Sequence, residues 1–175
     1  DVYKRQGTAF PLSISKASYK ADVAALAKIS GPYTISLSNV VAADVASLVA
    51  DSHITSMALT DSSANIAKNL DVLQNNISKI STITQTGTTT SLFITSSQLV
   101  KDAAILAKIA GGYSLGVADS SANISANIDL LQKNSNVIAG IVQTDAGKAL
   151  SITETSYKAD ATALSEIFGG YTLNL

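Results

Sequence analysis

One pattern of hydrophobic and polar positions occurs three times, in residues 14–35, 94–115 and 152–173. In each copy an isoleucine precedes a serine or threonine, and apolar residues then recur at three- and four-residue spacing. A hydroxyl side chain at this position caps a helix, and the spacing is typical of one buried helix face. The pattern therefore predicts three equivalent helices, whose capping residues are Ser15, Thr95 and Thr153.

Each copy also contains a glycine that is expected to end the helix. A predicted strand follows this glycine. A glycine stands where the last helical turn must reverse direction, and alternating apolar residues come next. We therefore expect one parallel-sheet strand after each helix. The glycines are Gly31, Gly111 and Gly169, and the predicted strands begin at Tyr33, Tyr113 and Tyr171.

A second unit begins at Asp61 as DSSANIAKNLDVLQNN and returns 58 residues later at Asp119 as DSSANISANIDLLQKN. In both copies the aspartate or the serine after it can cap an amphipathic helix, and a strand is predicted at residues 80–84 and 138–143. Short strands at 92–95 and 150–153 either form hairpins with the preceding strands or build a second short sheet.

These units predict a single tandem-repeat array over residues 7–175, with units at about 12–39, 40–60, 61–91, 92–118, 119–149 and 150–175. A lone unit buries too few apolar side chains to offset the entropy of ordering its backbone, so neighbouring units must share a core. The fold class is α/β, and we expect an elongated α/β solenoid with a mainly parallel sheet. The alternative is a compact α/β domain with internal duplication.

The composition narrows the range of functions. The chain is 46% hydrophobic and 14% charged, with a net charge of -1 and no cysteine. This charge provides no field for nucleic acid, and disulfides and thiolate metal sites are excluded. The uncharged run at 80–100 is too rich in serine and threonine for a membrane helix, so no membrane insertion is predicted.

The first six residues, DVYKRQ, resemble the translation of a transposon end used to prepare sequencing libraries. We therefore expect residues 1–6 to be a sequencing artefact that precedes a fragment of a longer, environmental reading frame. The alternative is a genuine polar tail.

The remaining residues carry a second resemblance. The patterns D-S-S-A-N-I-x-x-N-[LI]-D-x-L-Q-x-N and D-A-x-x-L-[AS]-x-I-x-G-G-Y-[ST]-L are similar to tandem repeats of very long bacterial surface-associated or secreted proteins. The resemblance implies an extracellular or cell-surface location and a repeat architecture, and it assigns no functional residues.

Candidate catalytic chemistry is sparse. His53 is the only histidine, so neither a zinc site nor a Cys-His dyad can be assembled, and no nucleophile-elbow, dinucleotide or phosphate-loop motif is present. We predict no catalytic, cofactor-binding or metal-binding residues, no cofactor, and no enzymatic activity in this fragment.

Three recurring polar sets need an interpretation. The aspartates of the tripled helix are interpreted as polar-face residues or as partners of a neighbouring backbone group, and a cation site is the alternative. Paired asparagines are interpreted as partners of backbone groups between units, and alternating threonines as a solvated strand face rather than an ice-binding rank. The sets are Asp22, Asp102 and Asp160; Asn65, Asn69, Asn123 and Asn127; and Thr82, Thr84, Thr86 and Thr88.

These features predict a structural or adhesive repeat segment, a spacer or display surface, of a large exported bacterial protein. Its partners are neighbouring repeats of the parent chain and a surface glycan or protein. The alternative function is a carbohydrate- or ligand-binding module. Its candidate aromatic residues are Tyr33, Tyr113 and Tyr171, although we expect these rings to lie mostly in the core.

Overall fold

The structure, a computed structural model, describes residues 9–87 and 90–175, so the predicted artefact at residues 1–6 lies outside the described part. Strands and short helices alternate along the chain. The strands are β1 (Phe10–Ser15), β2 (Tyr33–Val40), β3 (Ile54–Ser62), β4 (Ile80–Thr86), β5 (Leu92–Ile94), β6 (Leu115–Asp119), β7 (Ile138–Gln143), β8 (Leu150–Ser151), β9 (Ile167–Phe168) and β10 (Leu173–Asn174).

Most of the predicted helices are pairs of short helices separated by one residue. The helices are α1 (Lys16–Ala21), α2 (Val23–Leu26), α3 (Val45–Leu48), α4 (Ser63–Lys68), α5 (Leu70–Asn75), α6 (Ser96–Lys101), α7 (Ala103–Leu106), α8 (Ser121–Ala126), α9 (Ile128–Lys133), α10 (Glu154–Ala159) and α11 (Ala161–Ser165). The separating residues are Asp22, Asn69, Asp102, Asn127 and Asp160. Two 3-10 turns occupy Ala42–Asp44 and Ile77–Lys79.

The predicted helix starts are confirmed, but the predicted stops are wrong. The helices end at Leu26, Leu106 and Ser165, before the glycines, and β9 separates α11 from Gly169. Ser15, Thr95 and Thr153 each accept a hydrogen bond from a backbone amide of the first turn, and Thr95 forms a capping box with Gln98. In the second unit the cap is the serine after the aspartate, at Ser62 and at Ser120. After α7 the chain turns through Gly111 at φ 82°, a backbone conformation that favours glycine.

Every strand pairing is parallel, as the sequence predicted, but the strands are divided among three sheets. The strand orders are β1-β2-β3-β4, β5-β6-β7-β9 and β8-β10. We call the first of these sheets A and the second sheet B. The hairpin alternative for the two short strands is wrong, because β5 pairs with β6 and β8 with β10, in parallel. The protein is therefore an α/β fold with parallel sheets.

The core lies between one face of the strands and the apolar side of the helices. Ile35 and Leu37 on β2 are buried, as are Met57 and Leu59 on β3, and the helices contribute residues such as Leu70. Alternation along each strand places these side chains on one face of the sheet and short polar side chains on the other. The outer faces of sheets A and B are therefore not covered by the helices.

Candidate functional site

The recurring aspartates of the second unit join neighbouring strands to helix starts. Asp119 ends β6, and its carboxylate accepts hydrogen bonds from the Ser96 amide at 3.0 Å and the Ser96 hydroxyl at 2.5 Å. It also accepts from the Ser120 amide at 2.9 Å and from Asn123 Nδ2 at 2.7 Å. Burial raises the pKa of Asp119, but these hydrogen bonds outweigh burial and hold the pKa below its ordinary value.

The same contact recurs along the fold, and we call it the capping ladder. In each case a side chain at the carboxyl end of a strand reaches the first residue of the helix or turn that leaves the neighbouring strand. Asp61 accepts from the Ala42 amide at 2.8 Å, and Asp145 from the Ser121 amide at 2.7 Å. The capping ladder consists of Asp61, Asp119 and Asp145, with Gln85 bonded to the Ser63 hydroxyl at the equivalent place.

A second set of contacts joins helices of successive helix–strand units. We call each helix together with the strand that follows it a layer. Gln74 on α5 accepts from the Ile105 amide at 2.9 Å, and Gln132 on α9 accepts from the Ala163 amide at 2.8 Å. Both amides lie in the first turn of a helix that restarts after an interruption, where no carbonyl of the same helix is available to them. The glutamine of the repeat motif therefore caps the interrupted helix of the next layer.

Replacing Gln132 with leucine should lower the free energy of unfolding by about 1 kcal/mol, because the partly buried Ala163 amide loses its acceptor. Urea unfolding and hydrogen exchange of the Ala163 amide measure the effect. The neighbouring exposed Lys133→Ala variant is the control and should change neither quantity. Unchanged protection of Ala163 in the leucine variant would show that the amide has another acceptor.

The aspartates of the tripled helix occupy three different environments. Asp22 is exposed, as predicted for a polar-face residue. Asp102 and Asp160 are buried, and the interpretation as polar-face or backbone-bonding residues is wrong for them. Neither carboxylate oxygen of Asp102, nor Oδ2 of Asp160, has a hydrogen-bond partner within the described structure. Each instead faces an aspartate of the preceding helix, Asp71 or Asp129.

The first of these acid pairs is electrostatically asymmetric. Asp71 is exposed and bonded to Lys101 at 3.0 Å, and this contact holds the pKa of Asp71 below its ordinary value. Burial, reinforced by the neighbouring Asp71, raises the pKa of Asp102 to about 6. In the second pair, burial and then Asp129 raise the pKa of Asp160. In both pairs, burial and the neighbouring aspartate therefore favour the protonated form of the buried member.

His53 lies at the surface. Its Nδ1 is 2.9 Å from Asp51, and its ring stacks on Tyr33 with the centroids 4.2 Å apart. Tyr19 donates to the other oxygen of Asp51 at 2.8 Å; burial, then this bond, raises the pKa of Tyr19 to about 12. This cluster connects the first helix to the loop before β3.

The predicted bonds from the asparagines to backbone groups between units are wrong; two other kinds of contact are formed instead. Asn65 and Asn123 donate to the carboxylates of Asp61 and Asp119, and so support the capping ladder. The other two bond to a carbonyl four residues earlier in their own helix rather than to a turn between units. These two are Asn69 and Asn127.

The predicted threonine face is present on sheet A. Thr82 lies beside Ala58, Thr84 beside Thr60, and Thr86 beside Ser62 in the register of β3 and β4; Thr88 lies outside the described residues. Serines of β1, β2 and β3 continue this hydroxyl surface and line a shallow groove of about 310 Å³. The groove contains no charged side chain among its lining residues.

The outer face of sheet B is different, because it carries exposed aromatic rings that the sequence reasoning did not select. Phe93 on β5 is 60% exposed and Phe168 on β9 is 65% exposed, whereas the predicted Tyr33, Tyr113 and Tyr171 are half-buried against the core. The sequence feature that could have identified these rings is phenylalanine at outward-facing strand positions, where other strands carry serine or alanine.

No three or more His, Asp or Glu side chains in residues 9–87 and 90–175 are grouped so that they could hold a metal ion. Over the same residues, none of the helices has both the length and the apolar character needed to cross a membrane. No known protein family, curated protein or solved structure matches the chain.

Proposed function

We propose that this chain is a structural repeat segment, a spacer or display surface, of a large exported bacterial protein. The observation that carries the proposal is how the recurring polar residues are used. The aspartates of the capping ladder and the glutamines at 74 and 132 bond to backbone amides of a neighbouring layer. These contacts between neighbouring units are what a spacer built by stacking requires, and they support the proposal.

We also propose the finer architecture, an elongated α/β solenoid, as the form this spacer takes. Each parallel strand pairs with the strand that follows the next helix, from β1 to β4 and from β5 to β7. Ile83 of β4 also pairs in parallel with Ile109, and the equivalent Ile141 of β7 pairs with Ile167 of β9. The 58-residue period is thus repeated in the strand pairing as well as in the sequence. This repetition supports a stack in which each further repeat is added along the same axis.

Small-angle X-ray scattering of a variant in which residues 61–118 are duplicated tests this proposal. Each added layer lengthens a stack by one strand spacing, so two helix–strand layers should extend the maximum dimension by roughly 10 Å while the cross-section stays constant. The matched control is the unaltered chain at the same concentration. An increase in cross-sectional radius with little change in length would favour the compact domain instead.

Export to the cell surface is part of the same proposal. It is supported by the lack of cysteine, by the low charged fraction of 14%, and by the resemblance to repeats of surface-associated proteins. Mass spectrometry of the culture supernatant, of peptides shaved from intact cells and of the cytoplasm of a bacterium with this gene tests the location. Recovery of the peptides from the cytoplasm alone would contradict export.

A further inference from the structure

Two exposed phenylalanine rings cover two glycines on the outer face of sheet B. Phe93 is the register partner of Gly116, and Gly116 is the partner of Gly140 on the next strand. A Cβ on Gly116 would lie 2.7 Å from the Phe93 ring, and one on Gly140 would lie 2.0 Å from the Phe168 ring. Each ring therefore covers a glycine of the neighbouring strand while more than half of its residue surface stays exposed to solvent.

We call this surface the phenylalanine platform, formed by Phe93, Gly116, Gly140 and Phe168 with Val142 beside them. Because a glycine has no side chain, each ring can lie low against the sheet instead of standing away from it. Partner residues on neighbouring strands are about 4.8 Å apart, so the two rings cover adjacent glycines on one face of the sheet.

The platform departs from the repeat that surrounds it. The positions 58 residues from its members hold Ser151, Ala58, Thr82 and Ala110, none of which is aromatic or glycine. Both phenylalanines and both glycines are thus confined to sheet B, although the stacking contacts are shared with the rest of the chain. A residue set that only maintained the stack would be expected in the equivalent layers as well.

The surroundings of the platform favour a neutral ligand. Ser91 and Ser114 border one side with their hydroxyl oxygens 2.7 Å apart, and exposed Thr144 follows β7 at the other end. The platform and these bordering residues carry no charge, and the acidic Glu166, two residues before Phe168, disfavours an anionic ligand. A flat electron-rich ring surrounded by hydroxyl groups matches a pyranose sugar, which presents polarised C–H bonds on its face and hydroxyl groups at its edge.

The platform is too small to serve as a stable interface with a second copy of the chain. Two phenylalanines about two-thirds exposed offer roughly 200–300 Å² of apolar surface, whereas a stable interface needs about 800 Å² from each partner. A few sugar rings fit the smaller area. We propose that the phenylalanine platform binds a neutral glycan by stacking pyranose rings on Phe93 and Phe168. This inference goes beyond the spacer function and is independent of it.

The test is binding of the full chain to an array of neutral and acidic glycans, followed by titration calorimetry with neutral hexasaccharides such as cellohexaose, laminarihexaose, mannohexaose and xylohexaose. At least one neutral glycan should bind. Phe93→Ala and Phe168→Ala should each lower the affinity about tenfold, which corresponds to the loss of one aromatic stacking contact. Phe10→Ala, at an exposed phenylalanine of β1, is the matched control and should leave binding unchanged.

Leucine variants separate stacking from folding. Phe93→Leu and Phe168→Leu keep an apolar cover over the glycines but remove the flat ring, so they should unfold like the wild type and still lose affinity. The proposal is overturned if no neutral glycan binds or if the double alanine variant binds as tightly as the wild type. It is also overturned if the same substitutions abolish dimerisation in analytical ultracentrifugation, because the platform would then bind a second copy.

Discussion

Asp119→Ala should lower the free energy of unfolding by about 2–4 kcal/mol, a large part of the stability of a typical domain. The Asp119 carboxylate is buried and serves both Ser96 groups, the Ser120 amide and Asn123. An alanine leaves the Ser96 amide, at the first residue of α6, without an acceptor in the interior. Urea unfolding followed by circular dichroism at pH 7 measures the loss.

The pH dependence of this loss has a definite sign. Hydrogen bonding holds the folded-state pKa of Asp119 below its ordinary value of 3.8, so its contribution is fully present above that value. It is lost as the pH falls through the folded-state pKa, and the difference between wild type and variant should narrow in that range. Glu154→Ala is the control, because Glu154 is 71% exposed and its pair with Lys158 should contribute less than about 0.5 kcal/mol.

An Asp119→Ala variant within 0.5 kcal/mol of the wild type would mean that the capping ladder is not a stabilising feature. In that case the stacking role assigned to the recurring aspartates would lose its main support. A similar loss in Asp61→Ala, whose carboxylate serves the Ala42 amide, would extend the result to a second layer.

Local features of the fold were predictable from sequence because their determinants lie within a few residues of one another. The Ser15 and Thr95 caps and the turn at Gly111 each depend on one side chain or one backbone conformation. The interruption of each helix was not predictable in this way. The apolar spacing continues through Asp102, and the acceptor that stabilises the restarted helix is Gln74, 31 residues earlier.

The division into three sheets and the position of the platform depend on which strands meet. Alternation predicted that β5 is a strand, but its choice of β6 over β4 as a partner depends on the packing of the helices between them. For the same reason, the contact of the Phe93 ring with Gly116 and of the Phe168 ring with Gly140 appears only in the folded chain. The recurrence of the three tyrosines, which made them the candidates from sequence, reflects their packing against the core.

Asp102→Asn should stabilise the protein at pH 7, by about 1–3 kcal/mol. Asp102 is completely buried and has no donor for either carboxylate oxygen within the described residues, and its pKa is raised to about 6 by burial and then by Asp71. Each unit of difference from the ordinary value of 3.8 corresponds to about 1.4 kcal/mol between the two protonation states. Asparagine cannot ionise, and its amide can donate to the Asp71 carboxylate.

The gain should depend on pH in the direction opposite to that of Asp119. A carboxyl group with a raised folded-state pKa contributes its full stability below the unfolded-state value of 3.8, and this contribution is lost as the pH rises through about 6. The stability difference between Asp102→Asn and wild type should therefore be small at pH 3.5, grow between pH 4 and 6, and level off above pH 7. Urea unfolding across this range measures it, and carbon-13 NMR of the Asp102 carboxyl should titrate near 6.

Asp22→Asn provides the matched control, because Asp22 occupies the equivalent position of the first helix but is exposed. It should change stability by less than about 0.5 kcal/mol at every pH. If Asp102→Asn were destabilising at pH 7, or its effect independent of pH, the ionised carboxylate would have to be stabilised by a donor. If instead the pH-dependent gain is found, the Asp71–Asp102 contact costs stability at neutral pH, and the capping ladder and the apolar core must offset that cost.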